Sequence, residues 1–132
     1  MKRSLLCVLL ILVPLTGRAA AQSGMTTPTL QQQAVINKNA LALSGRSCTD
    51  YAIKMQDFPA NVDASQHDLV MNVATETALK LMQQRNLAPT RVQRTPDGGG
   101  AMYFAPQGIY MQFSRVREQG RDRLGLVMCR LR

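Results

Sequence analysis

Reactive side chains are few in this chain, and their spacing suits crosslinking and packing better than catalysis. His67 is the sole histidine among 132 residues, so no arrangement with one histidine as base and another as orienter is available. It falls in the first turn of a helical pattern, on the apolar side. The positive end of a helix disfavours an imidazolium, so this placement predicts a packed residue with one hydrogen bond rather than a general base. Ser44-Gly45-Arg46-Ser47 lacks the pattern of a nucleophile elbow. Eight acidic residues could supply paired carboxylates for a small hydrolase of glycans, but they fall mainly in loops, helix caps and the polar face of a helix. Asp97-Gly98-Gly99-Gly100 could cradle a phosphate, yet neither a helix nor a lysine follows it, and a hairpin turn accounts for it. Cys48 and Cys129 have no neighbour at metal-ligand spacing, which predicts a disulfide between them and no metal site. The methionines stand at helical or strand spacing and serve as core filling rather than as copper(I) ligands. No cofactor is expected.

The start of the chain sets the compartment. Lys2 and Arg3 precede an apolar run from Leu5 to Leu15, and Ala19-Ala20-Ala21 follows before Gln22. This is the pattern of a secretory signal peptide cut after Ala21. An eleven-residue apolar run falls well short of the roughly twenty residues a spanning helix needs, so no stable membrane anchor is expected. Cleavage removes Cys7 and leaves Cys48 and Cys129 in an oxidising compartment, periplasmic or extracellular. The remaining 111 of 132 residues suffice for a single domain, with residues 22–28 as a flexible lead and 29–132 as the folded unit.

Charge is distributed unevenly along the mature chain. Residues 22–84 carry four basic and five acidic side chains, whereas from Arg85 onward nine arginines face only Asp97, Glu118 and Asp122. Arg91, Arg94, Arg115, Arg117, Arg121 and Arg123 therefore form the candidate binding surface, since arginine favours bidentate contact with carboxylate or phosphate. The expected partner is a protein with an acidic surface, or alternatively an anionic polymer or membrane surface.

The elements that would position these groups follow from periodicity and punctuation. Thr29 caps a loose helical pattern that stops at Gly45, and Thr49–Gln56 alternates as a strand, although a short helix also fits. The clearest helix runs from about Ala64 to Arg85, capped by Asp63 or Ser65, with Asp68 completing a capping box. Val70, Met71, Ala74, Ala78, Leu81 and Met82 share its apolar side, and Asn72, Thr75 and Glu76 lie on the polar side. Four β-rich segments follow, at 90–95, 101–105, 109–117 and 123–131, separated by glycine-containing turns that predict an antiparallel meander. The last segment is apolar on both faces, so it needs cover on both sides. The helix supplies one, and the segment containing Cys48, fastened by the disulfide, is the expected second.

The sequence thus predicts an α+β domain with one long helix on a four- to five-stranded antiparallel meander and one disulfide. Its expected role is protein binding, as an inhibitor, immunity protein or envelope-system accessory. If the signal is cut as expected, intact mass of the exported protein will place its first residue at Gln22; a species that retains Cys7 would overturn the cleavage.

Overall fold

The computed structural model describes residues 24–95 and 99–132. The signal segment and Pro96, Asp97 and Gly98 of the glycine-rich turn lie outside these residues. In chain order the elements are α1 (Leu30–Ser44), β1 (Cys48–Asp57), a short 3-10 turn (Ala64–Gln66), α2 (His67–Gln84), β2 (Arg91–Arg94), β3 (Gly100–Phe104), β4 (Ile109–Glu118) and β5 (Arg121–Leu131). The five strands form an antiparallel sheet in the order β1-β5-β4-β3-β2. Strands β2 to β5 make the meander that the turn residues predict, and β1 joins it beside β5.

Two helices, not one, complete the α+β domain, and they lie on opposite faces. Thr29 caps α1 by accepting from the Gln32 backbone N–H, and the Gln32 side chain accepts from Thr29 N in return. Gly45, at φ 72°, ends the helix in the left-handed conformation glycine tolerates best, donating its N–H to Leu41 O. Ile36, Ala40 and Leu43 of α1 pack with Ile53, Tyr110, Val127, Cys129 and Leu131. On the other face Met71, Ala78 and Met82 of α2 pack with Met102, Phe104, Met111, Phe113, Leu126 and Met128. The period of two along β4 and β5 separates these sets, as strand geometry requires.

The cover of the second face therefore differs from expectation. Cys48–Asp57 is a strand in the plane of the sheet, with Cys48 opposite Leu131 and Ile53 opposite Val127, and α1 is the layer above it. The Cys48–Cys129 disulfide is present, but it joins neighbouring strands rather than fastening a lid. With the cysteines 81 positions apart in sequence, its loop-closure contribution is about 4.5 kcal/mol in the chain-entropy model.

Three local differences have physical causes. Met25 is buried and Thr26 exchanges two backbone hydrogen bonds of 2.8 Å with Ile53, so the described part of the N-terminal lead is tied to the outer edge of β1. At the start of α2 the Gln66 side chain accepts from Asp63 N at 3.3 Å, while Asp68 turns to Arg115 instead of completing a box with Ser65. Thr75, expected on the polar side, is 1% exposed. Its hydroxyl donates to Met71 O at 2.9 Å, so its burial leaves no donor unsatisfied. Gly100 makes room for it, because a Cβ there would lie 2.2 Å from Thr75 Cγ2.

This pair makes a stability test. Gly100→Ala should cost about 1–3 kcal/mol by overpacking, read as a lowered denaturant midpoint. Adding Thr75→Ala should recover most of the loss, because it removes the two nearest colliding atoms. No recovery would show that the cost lies elsewhere.

Candidate binding groove

The structure spreads the predicted arginine surface over both faces of the sheet and pairs most of it within the chain. On the α2 face, Arg115 bonds to Asp68 and lies 4.0 Å from Asp122, and Arg117 lies 3.3 Å from Asp122. On the α1 face, Arg123 reaches Asp57 at 3.1 Å and Glu118 at 3.3 Å, and Arg121 reaches Asp57 at 3.4 Å. Arg94 pairs with Glu76 at 3.0 Å, and Arg91 donates to Leu43 O at 3.3 Å. Alternation explains the division: Arg115 and Arg117 continue the Ile109, Met111, Phe113 face of β4 toward α2, and Arg123 follows Val127 and Gly125 on the other side of β5. Arg115, 30% exposed at its side chain, folds back against α2 through Asp68.

His67 sits among these charges. Its ring stacks on Phe58 with centroids 3.8 Å apart and planes 4° apart, which gives it the packed place expected of it. The expected hydrogen bond is missing at Nδ1, which is buried with no hydrogen-bond partner among the described residues and lies 3.7 Å from Asp122 Oδ2. No group of three or more His, Cys, Asp or Glu side chains among the described residues could hold a metal ion. No helix among them is long and apolar enough to cross a membrane.

A concave feature of the surface lies elsewhere. An open groove of about 730 Å³ runs between the N-terminal half of α1 and the sheet. Thr29, Gln31, Gln32, Val35, Ile36 and Asn39 form its helical wall, and Ile53, Val127, Val116, Ser114 and Gln112 form its floor. It exists because the buried side chains of α1 are Ile36, Ala40 and Leu43, leaving Leu30 83% and Val35 56% exposed. Gly125 adds depth: a Cβ there would lie 2.8 Å from Val116 Cγ2, so the glycine lets Val116 lie across the floor. Arg115 and Arg117 also border the groove. Their guanidinium groups, however, are engaged by Asp68 and Asp122 on the opposite face. The side chains turned into the groove are thus aliphatic or neutral and polar.

Gln112, 6% exposed, is the most constrained polar group of the floor. Its Oε1 accepts from the Tyr110 hydroxyl at 2.6 Å and from Asn39 Nδ2 at 3.1 Å. Sequence reasoning does not single it out, because Gln112 and Ser114 occupy the polar alternation of β4, which ordinarily faces water. Only the position of α1 turns that face into a floor.

Comparison of the chain with protein-family models, with curated proteins and with solved structures gives no match.

The ion pairs differ in what they support. Asp122 is 16% exposed at its side chain and answers Arg117 and Arg115, whereas Glu76 and Arg94 are each about half exposed. Asp122→Asn should therefore cost about 1–3 kcal/mol. Glu76→Gln should stay within about 0.5 kcal/mol. Urea unfolding of the two variants checks the contrast, and equal losses would show that Asp122 has no special role.

Proposed function

We propose that this chain is a small exported protein-binding domain, an inhibitor, immunity protein or envelope-system accessory, and that it grips its partner through the groove between α1 and the sheet. The observation that carries this reading is the groove itself, a concavity within the usual size range of binding sites, with an aliphatic floor and a few fixed polar groups. The Cys48–Cys129 disulfide suits an oxidising compartment outside the cytoplasm. Partner binding also matches the groove's openness along its length, which a small substrate would leave largely in water.

The arginine-based reading, in which an acidic protein or anionic polymer covers the C-terminal half, has less to support it. Arg94, Arg115, Arg117, Arg121 and Arg123 already face carboxylates of the same chain, so an external anion would compete with existing pairs. The hydrolase reading meets the same obstacle from the other side. Asp57, Asp68, Glu76, Glu118 and Asp122 are each answered by arginine, and no acidic residue among the described residues lines the groove.

Immobilised mature protein, exposed to an envelope extract and washed with rising salt, separates these readings. A partner seated on the aliphatic floor should stay bound as salt rises and should be lost with Ser114→Trp, which fills the groove. Elution of anionic polymer by salt alone, indifferent to Ser114→Trp, would overturn the groove reading in favour of charge.

A further inference from the structure

Building on the groove as the partner site, we propose that its occupant is an uncharged, aliphatic stretch of extended polypeptide, with a main-chain carbonyl oxygen accepting from the side-chain amide of Gln112. A glutamine carbonyl has two lone pairs, and here both are taken, by the Tyr110 hydroxyl and by Asn39 Nδ2. Tyr110 is fully buried and Asn39 belongs to α1, so the sheet core and the helix together fix the plane of the amide. The group left over is the NH2 of Gln112, which has no protein partner among the described residues. Since Gln112 lines the groove, the groove is where that donor is offered. A donor on a side chain this deeply buried is costly to leave unpaired once water is displaced, so whatever fills the groove must bring an acceptor to this point.

The chemistry of that acceptor is limited by what surrounds it. A carboxylate or phosphate would lose its water without gaining a counter-charge, because the bordering guanidinium groups of Arg115 and Arg117 are held on the far side of the sheet. A neutral carbonyl has no such penalty. Around it, Ile53, Val127, Val116 and Val35 offer aliphatic surface. Gln31 and Ser114 add neutral groups that can both donate and accept, as a polypeptide backbone with one N–H and one C=O per residue requires. An apolar peptide satisfies all three conditions together.

The test uses the mature protein and one uncharged probe, acetyl-Val-Leu-Val N-methylamide, followed through the side-chain amide signals of Gln112 by NMR. The expected result is a saturable shift of both Gln112 amide protons. Gln112→Glu keeps an acceptor for Tyr110 and Asn39 but removes the donor, and should weaken the probe about tenfold. Because a carboxylate there could disturb the fold, Ser114→Trp provides a second check: it leaves Gln112 in place, should retain the thermal midpoint, and should abolish the shift. Absence of a saturable shift at millimolar probe, equal binding by Gln112→Glu, or tighter binding of the diacid acetyl-Asp-Val-Asp N-methylamide would each overturn the proposal. A protein partner that is lost with Ser114→Trp but kept by Gln112→Glu would overturn the peptide-carbonyl contact alone and leave the protein-binding reading standing.

Discussion

The structure depends on one constraint: β5 is apolar on both faces and lies inside the sheet. Leu124, Leu126 and Met128 point one way and Val127, Cys129 and Leu131 the other, and all six are buried. A strand of this kind cannot sit at a solvated surface, because either face alone would expose several large apolar side chains. Two layers of cover are therefore obligatory. α2 provides one through methionines and alanines close to the sheet, and α1 provides the other through Ile36, Ala40 and Leu43. The neighbours of β5 follow the same logic, since β4 and β1 satisfy its backbone on both edges and continue both apolar sets sideways.

The C-terminal end of β5 is held with corresponding care, at the place where α1 turns into β1. The disulfide joins Cys129 to Cys48. Arg46 donates through Nε to Arg132 O and through Nη2 to Leu131 O, Arg132 N donates to Ser47 O, and Asn37 Oδ1 accepts from Cys48 N. One short stretch, 46–48, thus fixes the last residues of the chain and the exit of α1 together. The C-terminal half of α1 is anchored there, while its N-terminal half is attached through fewer buried side chains. That difference along a single helix is what leaves space for the groove.

Much of this is legible in the sequence, and the parts that are not share a cause. The caps and turns are local, so Thr29 and Gly45 mark α1, and the Pro106-Gln107-Gly108 and Glu118-Gln119-Gly120 turns mark the hairpins. The need for a second cover was readable from β5 alone. The identity of the cover was not, because α1 shows no clean apolar stripe: Leu30, Val35 and Leu41 are exposed while Ile36, Ala40 and Leu43 are buried. Thr75 departs from the polar side for a related reason. Threonine looks polar until its hydroxyl is returned to the Met71 carbonyl and a glycine stands opposite, and neither condition is visible within one helix. Gln112 stands on the polar alternation of β4, and only the passage of α1 over that face encloses it.

The arginines show most plainly how a linear pattern and a spatial one diverge. The sequence separates charge, with acidic residues early and arginines late, and a segregated charge invites the inference of an external acidic partner. Antiparallel pairing and helix packing undo the segregation. Asp57 reaches Arg121 and Arg123 because β1 lies beside β5, and Asp68 reaches Arg115 because α2 crosses β4. The acidic residues of the first half are the counter-ions of the second, so the excess of arginine counted along the chain overstates the positive field any partner would meet. Exposed pairs of this kind add little to stability and still draw charge inward from the surface. What these pairs leave untouched is the groove between α1 and the sheet, whose floor of Ile53, Val127, Val116, Ser114 and Gln112 carries no charge.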